Sequence, residues 1–475
     1  MTPGRTGAGT SGAGRPPRAP ARRASAPGVA ARSLAIDALV RVEAGGYSHL
    51  VLPGLLRSSG LDERDRALVT ELVYGTLRTQ GQADFLLAGA SKRPLPELDA
   101  PVRAALRLGV HQLLAGVVPH AAVGTTVGAL AGWSSPAAVG AKQYANAVLR
   151  RIADLGPNWA FPDGEDAEAL SVRTSHPRWL VELLRRDLGA EAEAVLASAN
   201  VPPAVTLRPN RLRATPEELI GELTAGGVRV EAGSLAPGAL VVRGVGDLAR
   251  LPAVAEGRAT PQDQASQAVA AAVGARPGER LLDLAAAPGG KATALAEAMG
   301  DEGLVVAADL RPGRAARVGE AARRLGLRSV VVVTADGRRL PFRAGPAAAG
   351  GDGSFDRVLL DAPCSGLGVL RRRPEARWRL EPAAVDRAAA LQRDLLAAAA
   401  GRVRPGGLLA YAVCTLTREE TLDVDAWAAA TFPQFTALDQ PGGPWRPHGR
   451  GALLLPTAAG TDGMFLLLLR APGPG

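Results

Sequence analysis

Arg280-Leu-Leu-Asp283-Leu-Ala-Ala-Ala-Pro288-Gly289-Gly290-Lys291 runs as a short apolar strand into a glycine turn, then into the helix-forming Ala292-Thr-Ala-Leu295. Glycines at a strand-to-helix turn let a ligand approach the backbone beneath helix N-terminal amides. This turn is not a P-loop: Ala285 stands where the first glycine would, and Ala follows Lys291. It also lacks the GxGxxG dinucleotide fingerprint.

Downstream, short apolar runs alternate with alanine-rich helical stretches. Gly303-Leu-Val-Val-Ala-Ala-Asp309, Ser329-Val-Val-Val-Val-Thr-Ala-Asp336, Phe355-Asp-Arg-Val-Leu-Leu-Asp361 and Gly407-Leu-Leu-Ala-Tyr-Ala-Val413 each read as a buried strand, and Met464 to Leu469 adds a late one. Apolar strands with helical crossovers predict a doubly wound parallel sheet, which binds ligands at its strands' carboxyl ends. Asp283 lies within the first strand, and Asp309, Asp336 and Asp361 end the next three. A single aspartate at such a place is usually a cap or a turn. At successive strands, Asp309 is placed to accept from ribose hydroxyls and Asp336 to meet an adenine amino group. This set fits an adenosine ligand without a tightly held phosphate, favouring S-adenosylmethionine over NAD.

The chain's two cysteines both fall at this edge: Cys364 in Asp361-Ala-Pro-Cys364-Ser-Gly-Leu-Gly368, and Cys414 directly after Val413. Free cysteine is often simple core filling. Here an alternative chemistry exists. A thiolate adding to carbon 6 of a pyrimidine turns carbon 5 into an enamine nucleophile able to attack a sulfonium methyl group. A carboxylic acid near ring N3 and the exocyclic amine can hold the base, and Asp361 is placed for it. Which thiol attacks is left open by the residues alone.

The N-terminal part reads differently. From about Ala31 to Ile152 apolar residues recur at helical spacing between Gly, Pro and Ser breaks, predicting an all-α domain. A Pro/Gly-rich linker and a small α+β module follow. The net charge of +9 suggests a polyanionic partner, but five arginines of the first thirty residues supply +5 of it and leave +4. With 4% aromatics, a broad base-stacking platform is excluded. Arg371, Arg372, Arg373 and Arg377, with Trp378 and Arg379, form the stronger candidate RNA contact, and Arg208 and Asn210 a weaker one. No apolar run approaches the ~18 residues of a membrane span, and the histidines show no metal-ligand spacing. The expectation is a cytoplasmic, reduced monomer without metal or membrane contact.

Asp283 to Lys291, Asp361 to Gly368, and Val413-Cys414-Thr415 with Glu419-Glu420 resemble the signature motifs of the Sun/Fmu (RsmB-like) family of RNA cytosine-5 methyltransferases. The N-terminal helices, with Leu72-Val-Tyr-Gly-Thr-Leu-Arg78 and Asn146-Ala-Val-Leu-Arg-Arg151, resemble that family's NusB-like RNA-binding domain, a pairing typical of the bacterial 16S rRNA enzyme. Composition makes residues 1–30 a disordered basic tail; the resemblance implies a NusB-like all-α domain over 31–154, a small α+β linking and RNA-binding module over 165–258, and a Rossmann-like class I methyltransferase domain over 259–472. It implies S-adenosylmethionine as cofactor, held by Ala285, Ala286, Ala287, Pro288, Gly289, Gly290, Lys291, Asp309, Asp336 and Asp361, and small-subunit ribosomal RNA as substrate. It makes Cys414 the nucleophile and Cys364 the residue that helps release product. In DNA cytosine methyltransferases the Pro-Cys cysteine attacks, so exchanged roles are the natural rival. Ala285 departs from relatives that often carry cysteine there, so a third thiol is not required.

Overall fold

The structure, a computed structural model, describes residues 28–130, 138–341 and 355–473. The expected basic tail lies almost wholly outside the described residues.

Helices α1 (Val29–Glu43), α2 (Ser48–Ser58), α3 (Glu63–Arg78), α4 (Gln80–Ala90), α5 (Ala100–Leu114), α6 (Pro119–Ala129) and α7 (Ala138–Leu155) build the N-terminal domain. Their apolar faces supply one core, with Ile36, Leu72, Leu87, Leu106, Leu108, Leu149 and Ile152 fully buried. Each such side chain contributes about 1.5–3 kcal/mol through burial. Asp62 caps α3 by accepting from the Asp65 amide at 2.8 Å. The core helix α5 crosses α7 closely because Gly109 faces Leu149; a Cβ there would lie 2.6 Å from Leu149 Cδ1.

The segment expected as a small α+β module over 165–258 holds three helices followed by a small sheet. Helices α8 (Ala167–Thr174), α9 (Arg178–Leu188) and α10 (Ala192–Ser198) pack on the large C-terminal sheet. Leu180, Val181, Leu184 and Leu188 of α9 fall on one face and share a core with Leu367 and Leu370. The separate module begins with β1 (Val205–Pro209) and continues through β2 (Arg229–Ala232), β3 (Leu240–Arg243) and β4 (Ala259–Pro261). These form an antiparallel sheet of order β2-β3-β1-β4, covered by a helix over Pro216–Ala225 that opens with a Thr215/Glu218 capping box. Strand β4 carries the module to Pro261; three residues ending in proline give no strand signal of their own.

The C-terminal sheet comprises β5 (Arg280–Asp283), β6 (Leu304–Asp309), β7 (Val330–Thr334), β8 (Phe355–Asp361), β9 (Val403–Val413), β10 (Thr436–Ala437), β11 (Arg446–His448), β12 (Gly451–Leu454) and β13 (Met464–Arg470). Its order is β11-β12-β13-β9-β8-β5-β6-β7, with β10 on β13. The five strands from β5 to β9 are parallel, as expected, while β13 runs antiparallel beside β9 and leads into the β11–β12 hairpin. From β5 the chain winds outward through β6 and β7, then returns to β8 on the other side. The crevice at the carboxyl ends of β5 and β8 is therefore the topological switch point, where such sheets bind ligands. No helix among the described residues is long and apolar enough to cross a membrane.

Candidate active site

Strands β8 and β9 are parallel neighbours in which Asp361 pairs with Ala412. Cys364 lies three residues past Asp361 and Cys414 two past Ala412, so the sheet's register delivers both to one edge. Their sulfurs stand 3.2 Å apart as free, half-buried thiols. Two thiolates at that separation cannot both be stable. The hydrogen bond with Cys414, burial, and the negative charges of Cys414, Glu420 and Asp361 push the Cys364 thiol well above its ordinary range.

Lys291 supplies the opposite charge. Its ammonium is buried 2.7 Å from Asp361 Oδ2. Burial alone would drive off that proton, but Asp361, Cys414 and Asp283 keep the Lys291 pKa raised. The cation thus acts on Cys414, whereas the anions Glu420 and Asp361 act on Cys364.

The glycine turn forms as expected. Gly289 takes φ +106° as the N-cap of the helix Gly290–Ala298, and a Cβ there would meet Val318 Cα at 3.1 Å. The amides of that helix open toward the switch point. Asp309 Oδ2 accepts from the Ala287 amide at 3.3 Å and Oδ1 from Arg311 at 3.0 Å, so the β6 acid braces the turn. Asp336, two residues beyond β7, is held by the Arg338 guanidinium at 2.7 Å and its amide at 3.0 Å, which depress its pKa to about 2. Asp283 is fully buried, no side chain hydrogen-bonds either of its oxygens, and the Ala285 amide is the one donor beside them. An acid without a side-chain partner under an open glycine turn fits a ligand that carries an ammonium group beside an adenosine. Those are the chemical features of S-adenosylmethionine, so the residues present suit that cofactor. Among the described residues no cluster could hold a metal.

The expected RNA contacts need correction. Arg208 is buried, ion-paired with Glu297 at 2.9 Å and bonded to the Gly290 carbonyl at 2.6 Å. It fastens the middle module behind the cofactor turn. Asn210, also buried, donates to the carbonyls of Gly257 at 2.9 Å and Leu325 at 3.0 Å. Arg371 is buried and donates to the Gly460 carbonyl at 2.8 Å; Arg372 bridges Asp263 at 2.7 Å and Asp462 at 2.9 Å. Arg377 is fully buried against the Ser175 and Ala199 carbonyls, both at 3.1 Å, and Asn200 at 2.7 Å. Buried guanidiniums require such partners. Arg373 and Arg379 are the members of the predicted set that stay exposed, and Arg379 is engaged by the Gly46 carbonyl at 2.6 Å.

Two acids do more than their sequence positions announce. Asp283 is the buried acid described above. Glu420 sits behind both cysteine loops, and its place in the Cys414 motif was the one signal available.

Residues 270–470 match the family described as 16S rRNA methyltransferase RsmB/F, residues 29–154 the NusB family, and residues 176–249 the RsmF/B-like ferredoxin-like domain. The chain is 37% identical over 410 residues to the ribosomal RNA small subunit methyltransferase B of Pseudomonas putida, covering 85% of this chain and 90% of that one. It is 34% identical to the Salmonella paratyphi B protein of the same name, covering 91% and 97%. The crystal structure of PH0851 superposes with a TM-score of 0.81 at 30% identity, over 94% of this chain and all of that one. The structure of NSun6 from Pyrococcus horikoshii with SFG shares the fold, with a TM-score of 0.55 at 23% identity over 62% of this chain and 98% of that one.

Proposed function

Because this chain belongs to the RsmB/F family of 16S rRNA methyltransferases, and is therefore an S-adenosylmethionine-dependent rRNA methyltransferase, we propose that it methylates carbon 5 of a cytosine in small-subunit rRNA through a covalent cysteine adduct. The observation that carries this reading is the pair of thiols 3.2 Å apart beside the Lys291–Asp361 ion pair.

Cys414, under the charge of Lys291, adds to carbon 6 of the target base and makes carbon 5 nucleophilic. Bound at the glycine turn, S-adenosylmethionine supplies the electrophilic methyl group. Lys291 holds one oxygen of Asp361, and the other accepts from the cytosine's exocyclic amine and fixes the ring. Cys364 helps release the product: its thiolate takes the carbon 5 proton, the carbon–hydrogen electron pair re-forms the carbon 5–carbon 6 double bond, and the carbon 6–sulfur bond breaks with its electrons returning to Cys414. Exposed Arg373 and the N-terminal helices remain proposed RNA contacts. The protein acts as a monomer in the cytoplasm.

The test is transfer of labelled methyl from adenosylmethionine to small-subunit rRNA, followed by digestion to nucleosides. The expected label is in 5-methylcytidine; label confined to another nucleoside would overturn the proposal.

A further inference from the structure

One buried carboxylate takes no part in those steps. Glu420 has no solvent exposure, yet both of its oxygens are occupied by donors. Oε1 accepts from the Ser365 amide at 2.8 Å and from Gln392 Nε2 at 2.9 Å. Oε2 lies 2.5 Å from Ser365 Oγ and 3.0 Å from both Thr415 Oγ1 and Thr417 Oγ1. Ser365 follows Cys364 and Thr415 follows Cys414. A single side chain therefore grips the residue next to each sulfur.

The surroundings hold that grip in place. Gln392 Nε2 also donates to the Pro363 carbonyl at 2.9 Å, just before Cys364. The buried Tyr411 hydroxyl stands 3.0 Å from Gln392 Oε1 and 2.8 Å from the Glu420 carbonyl. Burying a carboxylate costs several kcal/mol unless donors replace its water, and an apolar residue would fill the space without that cost. What a carboxylate adds is several hydrogen bonds converging on two loops that belong to different strands.

We infer that Glu420 is a positioning residue that sets the separation of Cys364 and Cys414. The inference deepens the proposed reaction and rests on it for its kinetic consequence, but not for its geometric one. A glutamine at 420 can still accept from Ser365 and Gln392 through its oxygen and give its amide hydrogens to the hydroxyls, which accept as well as donate. Alanine keeps neither half.

Thiol cross-linking in the full chain, without RNA or cofactor, reads the separation directly. Diamide takes two hydrogens and two electrons from the thiols, leaving one sulfur–sulfur bond and the corresponding hydrazine. The chain has no other cysteine, so loss of free thiol in protein that runs as a single chain on a non-reducing gel reports this bond alone. Glu420→Ala is expected to cross-link about tenfold more slowly than wild type, and Glu420→Gln to recover most of the rate. In methylation, Glu420→Ala is expected to lower kcat about 100-fold, as small misplacements of reacting groups do, with KM for adenosylmethionine unchanged. Wild-type cross-linking by Glu420→Ala would overturn the inference. If circular dichroism shows that variant unfolded, Ser365→Ala and Thr417→Val take its place: slowing in either supports the inference, and wild-type rates in both overturn it. Glu420-dependent cross-linking in a chain that methylates nothing would sink the proposed reaction and leave the positioning role standing.

Discussion

Asp283 is buried inside β5 without a side-chain partner, and burial, reinforced by Asp361, lifts its pKa to about 7 against the pull of Lys291 and the Ala285 amide. The folded protein therefore holds a proton there that the unfolded chain releases above about pH 4. With more protons bound in the folded state, stability falls as pH rises from about 4 to 7. Asp283→Asn is expected to flatten that slope and raise the stability of the ligand-free protein at pH 8, by at most about 4 kcal/mol. Melting curves at pH 5 and 8 check it; a variant less stable than wild type at pH 8 would contradict it. The same change is expected to weaken adenosylmethionine binding, since the buried acid is what an incoming ammonium meets. At this scale the sequence showed that the two cysteines and the strand-end acids share one sheet edge, because cysteine is scarce and the acids recur at strand ends. It hid which acid is charged, because that depends on Lys291 reaching across from the glycine turn.

Among elements, the parallel strands were legible because each is a short apolar run closed by a turn residue. The β11–β12 hairpin was not: Arg446-Pro-His448 is polar, and Gly451-Ala-Leu-Leu454 is too short to show a period. The glycine turn was read correctly, and its geometry explains the residue. Gly289→Ala places a Cβ against the Val318 backbone at positive φ, so a loss of about 1–3 kcal/mol in stability is expected, with weaker cofactor binding in calorimetric titration. Arg208 was misread because a strand arginine looks the same whether it faces RNA or a buried glutamate. Arg208→Ala strands Glu297 without its cation, and a loss of about 3–5 kcal/mol is expected. RNA affinity of the folded fraction is expected to stay unchanged, which a filter-binding measurement at matched ionic strength tests; a selective loss of RNA binding would restore the first reading.

The whole molecule is tied together by the segment that follows Cys364. Glu375 is buried in the N-terminal domain's surface, where it accepts from the Ser48 amide at 2.9 Å and hydroxyl at 2.9 Å, at the start of α2. Arg379 lies over the Tyr47 ring at 5.4 Å and donates to the Gly46 carbonyl at 2.6 Å. Arg377 anchors the same segment to the α8–α10 helices. A run of arginines that sequence assigns to RNA thus joins the Cys364 loop to two other parts of the chain; composition cannot tell a solvated charged loop from one between domains. Glu375→Ala is expected to cost about 1–3 kcal/mol by leaving the Ser48 amide unpartnered, and to split one calorimetric transition into two. A single unshifted transition would show that the strap does not couple the domains.

The proposed reaction divides two roles between Cys414 and Cys364. The direct measurement is the intact mass of protein incubated with adenosylmethionine and small-subunit rRNA fragments, comparing Cys364→Ala with Cys414→Ala. A persistent protein–RNA adduct is expected with Cys364→Ala and none with Cys414→Ala. An adduct that persists in Cys414→Ala and is absent from Cys364→Ala would contradict that division.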